Sequence, residues 1–537
     1  MPALIAHQLA FQLDTGEWLF QHINISLNDD LTGLIGRNGV GKSVLLSLLL
    51  GKLTPTIGSV SCQGQVGHYS QQPSELLGGT QTVADFLGVS EKLAAINAVE
   101  QGRCDAQYFD IIADDWEVAT RTQQVLVDLG LPESPDVLCR DLSGGQLALL
   151  QLYQLFNSGA DILLLDEPSN HLDARGRQWL ISQLRQFAGK VLIVSHDRAL
   201  LRYVGGVYHL TSLGMQYYQG NYDEFFSQHT LKENALERQI TQLKSEQKKI
   251  ERQQQASKEK AQQRRAQGAR LRKSGSQPKI LLDAMKNKAE QSQSAAAINQ
   301  QNQLRRNQQK LSAMRQQQEA IKPRHLHLAE FGQAKKNTVL RLEGYKLPYG
   351  SKEPINLLLM QSERCYLTGG NGCGKSTLLK SIHQQAIKPA SSNVSSPLSS
   401  TKMLANVMTE YLDQHFSLLS PDSNMLDCLM EYCKGLSESD ARTLLAGIGF
   451  RRGSVYRQVT HLSGGEKMKL AILMVSHLPD QPLLLLDEPD NHLDIDAKLQ
   501  LAKALNQYRG AFILVSHDED FAGAIQFDRQ LSLSVSQ

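Results

Sequence analysis

The chain has 537 residues, more than one hydrophobic core usually supports, so two or more domains are expected. Its formal net charge is only +2, yet residues 231–330 hold 22 Lys and Arg against 9 Asp and Glu, a local +13 that leaves −11 elsewhere. No stretch approaches the ~18–20 apolar residues that span a bilayer, which excludes transport by this chain alone. No basic, apolar leader opens it, and its seven Cys lack metal-type spacing, so they read as reduced thiols of a cytoplasmic protein.

In chain order, LIAHQLAFQL and HINISL alternate as half-buried strands do, and LTGLIG reads as a buried strand. That strand feeds a Gly-rich run, Gly36, Arg37, Asn38, Gly39, Val40, Gly41, Lys42 and Ser43, followed by an apolar helix. Strand, Gly-rich turn and helix together form a phosphate-binding loop: backbone N–H groups surround the phosphates, Lys42 places charge on them, and Ser43 offers a hydroxyl to Mg²⁺. ILLLDEP and KVLIVSHD are short apolar runs that read as buried parallel strands with functional residues at their C-terminal ends. Asp166 ends the first and is a Mg²⁺ ligand candidate; Glu167 is placed to assist the attacking water; His196 follows the second and reaches toward the γ-phosphate.

Every one of these parts returns. Gly369, Gly370, Asn371, Gly372, Cys373, Gly374, Lys375 and Ser376, with Thr377 next, form a second phosphate loop. Asp487, Glu488 and His517 repeat Asp166, Glu167 and His196, and in both copies the His lies 30 residues after the Asp. LSGGQ with Ser143, Gly144 and Gly145 is matched by LSGGE with Ser463, Gly464 and Gly465. Gln71 and Gln414 each follow a short extended segment and are candidates for Mg²⁺ or the water, with Gln72 as the alternative to Gln71. Tyr349, 26 residues before Lys375, is placed to stack on a base; in the first half Phe11 and Trp18 both qualify. The expected architecture is α/β, with a first cassette at 1–228, an insertion at about 75–130, and a second cassette at 336–537. The insertion is read from spacing: 72 residues separate Gln71 from Ser143, against 49 from Gln414 to Ser463.

Residues 229–335 belong to neither cassette and are rich in Gln, Lys, Arg and Ala. Leu236, Ile240, Leu243 and Ile250, and later Ala297, Leu304, Leu311, Met314 and Ile321, keep the period of a coiled pair of helices. Gly275 and Pro278 mark a turn between them, so the segment reads as a helical hairpin with Arg270, Arg272, Lys273 and Lys279 near its tip, facing nucleic-acid phosphates.

Together these motifs resemble ATP-binding cassette ATPases, and the LSGGQ-type signature separates them from other phosphate-loop proteins. Two cassettes on one chain, a basic helical linker and no membrane span resemble the ABC-F subfamily over essentially all 537 residues. GNYDEFF, before the linker, resembles the family's entry into its linker helices. The resemblance implies a monomer whose cassettes close head to tail on two ATPs. One site would join Lys42, Ser43, Gln71, Asp166, Glu167 and His196 to Ser463, Gly464 and Gly465. The other would join Lys375, Ser376, Gln414, Asp487, Glu488 and His517 to Ser143, Gly144 and Gly145, with Asp173 and Asp494 at the seam. It further implies action on the ribosome, through rRNA and tRNA, in stall relief or antibiotic protection; an exporter subunit and a DNA-associated ATPase are the alternatives. LSGGQ is followed by LALLQL, without the basic residue common in the family, which implies a weaker second site. A Ser-rich loop stands where the second cassette would carry a Gly-rich turn, and the chain ends without the extension of the DNA-associated branch.

Overall fold

The computed structural model describes residues 3–70, 79–170, 172–273, 298–299, 301–314, 337–387, 402–405, 407–413, 416–450, 452–478, 482–491 and 493–534. Gln71, Gln72, Gln414, Lys279, the turn at Gly275 and Pro278, Ala297 and Ile321 lie outside them. The chain divides into two compact units, one formed by 1–222 with 323–537 and the other by 223–322.

In the first half of the larger unit, β1 (Ala3–Gln12), β2 (Trp18–Ser26) and β4 (Ile57–Gln63) make an antiparallel sheet in the order β2-β1-β4. A second sheet has the order β5-β6-β7-β3-β8-β9, from β3 (Leu31–Gly36), β5 (Val66–Tyr69), β6 (Ile162–Asp166), β7 (Lys190–Val194), β8 (Gly206–Thr211) and β9 (Gly214–Gln219). All but β9 run parallel. The second half repeats the plan. There β10 (Thr338–Tyr345), β11 (Ile355–Met360) and β13 (Lys402–Ala405) form the antiparallel sheet. The parallel one follows the order β14-β15-β16-β12-β17, from β12 (Arg364–Gly369), β14 (Thr409–Leu412), β15 (Leu483–Asp487), β16 (Phe512–Val515) and β17 (Arg529–Leu533).

The unbroken apolar run of β6 follows from burial on both faces. Ile162 and Leu164 pack with Leu45 and Leu48 of the helix after the first phosphate loop; Leu163 and Leu165 pack on the opposite face with Leu150 and Leu180. β15 and β16 do the same: Leu484, Leu486 and Phe512 face one core, Leu483, Leu485 and Ile513 the other. Register then sets the chemistry. Asp166 is level with Val194, and Val194 with Leu34, so the C-terminal ends of β6, β7 and β3 open side by side. Asp487, Val515 and Leu367 stand in the same relation.

Ahead of its signature the first half carries helices Val83–Phe86, Ser90–Glu100, Ala106–Ile112 and Val118–Asp128. The second has Met425–Tyr432 and Glu438–Gly447 in the equivalent stretch. The two middle helices and the start of the fourth build a small core of their own around Ala95, Ile96, Ile112 and Val118.

Among its described residues the smaller unit holds nearly all of one long helix, Tyr222–Lys273, of 52 residues and roughly 78 Å. A second helical stretch covers 301–314. Along the first, Leu236, Ile240, Leu243, Gln247, Ile250 and Gln254 are less exposed than their neighbours; along the second, Leu304, Asn307, Leu311 and Met314 are. The seam therefore continues through polar residues that a purely apolar count passes over. Arg270, Arg272 and Lys273 lie in the last turn of the long helix.

Candidate functional site

Each phosphate loop depends on glycines that no other residue replaces freely. Gly41 has φ +103° and Gly374 φ +97°, left-handed values that L side chains rarely adopt. A Cβ on Gly41 would also sit 2.7 Å from Leu19, and one on Gly374 2.7 Å from the carbonyl oxygen of Tyr349. Lys42 opens the next helix and is buried, its Nζ donating to the carbonyls of Gly36 (2.7 Å) and Arg37 (3.2 Å). Lys375 does likewise with Gly369 (2.8 Å) and Gly370 (3.0 Å). Burial lowers the Lys42 ammonium against the pull of Glu167, Asp494 and Asp166. Val40 packs at the edge of the first half's core and Cys373 is fully buried in that of the second.

Around Lys42 the other residues converge. His196 lies 3.0 Å from it through Nε2, which makes that nitrogen the acceptor. Ser43 donates to Asp166 Oδ2 at 3.2 Å, and the His196 backbone N–H donates to Glu167 Oε2 at 3.3 Å. Burial raises Glu167 to about 7, and Asp166 is raised by burial as well. In the second half burial pushes Glu488 upward too, but the hydrogen bond and charge of His517, Asn491 and Lys375 outweigh it, and its net shift is downward. His517 Nε2 is 3.4 Å from Glu488 Oε1. Ser376 hydrogen-bonds Asp487, whose Oδ2 also accepts from the Tyr411 hydroxyl at 2.8 Å. His68 stands at the place of Tyr411 in the first half, level with Leu164 as Tyr411 is with Leu485.

Both glutamates have φ +50°, an outlier for a non-glycine residue that appears identically in both copies. Their N–H groups donate to the carbonyls of Val194 (2.8 Å) and Val515 (2.9 Å), which pins the strained backbone. Such strain persists only where surrounding structure enforces it.

The signature segments are helix starts. Ser143 caps the helix Gly144–Phe156, accepting from Gln146 N at 3.3 Å while Gln146 Oε1 accepts from Ser143 N at 3.1 Å. Ser463 and Glu466 make the same reciprocal pair for Gly464–Ser476. The fifth residue of LSGGQ and LSGGE is thus a capping-box partner, which leaves the Gly N–H groups of the first turn to an outside acceptor.

The halves meet at these elements. A cavity of about 590 Å³ is lined by Gly39, Gly41, Lys42, Ser43, Asp166, Glu167 and His196 from one side and by Ser463, Gly464, Asn491 and Lys498 from the other. Gly465 is close to the Asn38 side chain. Asp494 accepts from its own helix at Ala497 N (2.8 Å) and from Asn38 N of the other half (3.2 Å). Asp173 mirrors it with Gly176 N (2.9 Å) and Asn371 N (3.3 Å). Arg37 and Asp496 add an ion pair at 3.4 Å. At the equivalent places of the other contact stand Gly370 and Arg175, which cannot form it.

Leu13 and Leu19 line the first cavity; neither Phe11 nor Trp18 is among its lining residues. Phe11 packs on Phe20 at the edge of the core. Tyr349 is 79% exposed, its backbone carbonyl against Gly374 of the second phosphate loop. Sequence reasoning missed Leu13, Leu19, Tyr411, Arg177 and Lys498. Tyr411 had a signal, since it sits three residues before Gln414 on the strand beside Asp487.

The donors suit nucleoside triphosphate and Mg²⁺. Asp487 Oδ1 and Glu167 Oε1 are buried acceptors without a hydrogen-bond donor. A hydroxyl and one carboxylate suit a metal that keeps waters and phosphate oxygens in its shell. Among the described residues no group of three or more His, Cys, Asp or Glu forms a self-sufficient metal cage.

Two phosphate loops, each facing a helix start of the other half, define a tandem nucleotide triphosphatase. The ABC transporter family model matches residues 20–170 and again 352–491. The putative ATP-binding protein YdiF of Bacillus subtilis is 30% identical over 535 residues, covering 95% of this chain and 76% of that protein. ABC transporter F family member 5 of Arabidopsis thaliana is 28% identical, covering 91% of this chain and 69% of that protein. In a model of ribosome-bound archaeal Pelota and ABCE1, one chain matches 98% of this chain and 76% of its own length, with TM-score 0.55 and 17% identity, a likeness of fold. The chain belongs to the ATP-binding cassette family, among its two-cassette F-type members, and is an ATPase. Among the described residues no helix is long and apolar enough to cross a membrane.

Proposed function

We propose that this ATPase works in the cytoplasm as a translation factor on the ribosome, with 1–228 and 336–537 as its motor and 229–335 as the part that meets rRNA and tRNA. The observation that carries this reading is the helical unit 223–322, which follows one cassette and precedes the other along the chain, within a stretch of net charge +13. A long, positively charged helical pair suits a phosphate-rich partner, where each Lys or Arg contact releases counterions. The resemblance to the F-type family implies that the insertion near 75–130 is an arm directed at the large subunit. Relief of stalled translation or antibiotic protection are the forms this action takes.

ATP would enter between the phosphate loop of one cassette and the signature helix of the other. Lys42 and Lys375 bind the β- and γ-phosphates, and the N–H groups at Ser463–Gly465 and Ser143–Gly145 bind the γ-phosphate from across the seam. Ser43 with Asp166, and Ser376 with Asp487, would hold Mg²⁺, with Gln71 and Gln414 as further ligands. Bound there, Mg²⁺ neutralises charge on the β- and γ-phosphates. Glu167 and Glu488 orient the attacking water and accept its proton, while His196 and His517 hold the γ-phosphate end. Tyr349 stacks on the adenine of the second site; Leu13 and Leu19 enclose that of the first.

The test is sedimentation of the full chain carrying Glu167→Gln and Glu488→Gln, with ATP, in a cell lysate at rising salt. Co-sedimentation with ribosomes that fades with salt is expected. Recovery with membranes alone, with DNA alone, or with ribosomes regardless of salt would refute the reading.

A further inference from the structure

Arg177 and Lys498 occupy one place in the two cassettes, each four residues after the aspartate that caps its helix, Asp173 or Asp494. Both line the cavity that holds Lys42, Glu167, His196 and Ser463. Lys498 Nζ lies 2.7 Å from Asp518 Oδ2, and Arg177 Nε 3.6 Å from Asp197 Oδ2. These four side chains are between 7% and 18% exposed, so their charges act on one another with little screening.

Neither cation confines itself to its own cassette. Lys498 feels the charges of Asp490 and, across the seam, Asp197. It also acts on Glu167 and His196 of the first cassette. Arg177 donates through Nη1 to the backbone carbonyl of His517 in the second cassette and acts on Asp518 there. The seam thus holds two cations and three carboxylates, arranged crosswise between the hydrolytic residues of the two halves.

The crossing is unequal. Asp490 stands where the first cassette has Ser169, and both are buried. Lys498 therefore serves two carboxylates of its own cassette and reaches the other through charge. Arg177 serves one and reaches the other through a directed hydrogen bond.

We propose that Lys498 and Arg177 are positioning residues that act in trans, Lys498 setting Glu167 and His196 of the first site and Arg177 setting His517 of the second. Each site then feels the state of the other through a side chain rather than through the rigid body of the cassette. The inference rests on the assignment of Glu167 and Glu488 to hydrolysis.

The experiment is single-turnover ATP hydrolysis by the full chain, with Glu488→Gln leaving the first site to report and Glu167→Gln leaving the second. Lys498→Met should slow the first site about tenfold or more and change the second less than about threefold, with ATP binding nearly unchanged. Lys498→Arg should restore most of the rate, because charge suffices. Arg177→Met should act on the second site, and Arg177→Lys should fail to restore it, because an ammonium lacks the planar fork that reaches the carbonyl. A loss confined to the cation's own cassette, an equal loss at both sites, or no loss would overturn the proposal.

Should Lys498→Met fail to fold, Asp490→Ser, which copies Ser169, keeps the question open to decision. It should change the first-site rate about threefold and spare the second; an unchanged first site would overturn the proposal as well. Normal hydrolysis by the Glu167→Gln, Glu488→Gln double variant would instead remove the assignment on which the inference rests.

Discussion

Asp494 carries two duties on two oxygens, and a substitution separates them. Oδ1 caps its own helix at Ala497 N, and Oδ2 accepts from Asn38 N in the opposite phosphate loop. Serine keeps a capping oxygen but has no second acceptor and no charge. Losing a cap altogether costs about 1 kcal/mol, while exchange of Asp for Ser at a cap is close to neutral. A hydrogen bond to a charged acceptor contributes about 1.5–3 kcal/mol. Asp494→Ser should therefore leave thermal stability within a degree or two, whereas Asp494→Ala should lower the melting temperature by about 2–4 °C. Both should weaken ATP-driven closure about 10- to 150-fold. The assay is energy transfer between one dye on each cassette, titrated with ATP in the Glu167→Gln, Glu488→Gln background so that hydrolysis does not reopen the seam. Wild-type closure by Asp494→Ser, or a stability loss as large as that of Asp494→Ala, would refute the division of labour.

The double variant Glu167→Gln, Glu488→Gln should bind ATP and turn over at least about a hundredfold more slowly, accumulating the closed form; undiminished steady-state hydrolysis would remove the role given to these carboxylates. Burial raises Asp490 to about 6 from 3.8. The folded state thus holds that proton more tightly, a contribution present in full below pH 3.8 and lost as pH rises through about 6. Asp490→Asn should accordingly stabilise the protein at pH 7.5, by up to about 3 kcal/mol, and change little at pH 4, as read by thermal melts at the two pH values. Replacing Arg270, Arg272, Lys273 and Lys279 by Gln should preserve ATPase activity, since Gln keeps helix propensity, and abolish the effect on a stall-prone message in a translation assay. Loss of ATPase with the translation effect intact would make the linker a brace.

The fold was legible because its signals are local. A strand buried on both faces must be apolar throughout, and ILLLD and LLLLD announce themselves that way. Register of neighbouring parallel strands then brings Asp166, His196 and Lys42 together without further instruction. What the sequence hid depends on residues far apart in the chain meeting at the seam. Arg177 reaches the carbonyl of His517, 340 positions away, and nothing in RGRQWL marks that arginine off from a solvated one. The aromatic candidates of the first half stand apart from the cavity lining for a different reason. Aromatic character pointed to Phe11 and Trp18, but the pairing of Phe11 with Phe20 and of Gln12 with Trp18 brings Leu13 to the cavity rim. The polar seam positions Gln247, Gln254 and Asn307 escaped a reading tuned to apolar period.

The glutamates at φ +50° set this chain against its own thermal tolerance. Holding a non-glycine residue in that region costs about 1–3 kcal/mol, and the chain bears the cost twice. Glycine at either position would relax the backbone and remove a buried carboxylate. Selection in the laboratory for heat resistance alone should therefore drift toward glycine or asparagine at 167 and 488 and erase the chemistry as it goes. Persistence of glutamate at both positions through such a selection would mean that catalysis was still being chosen.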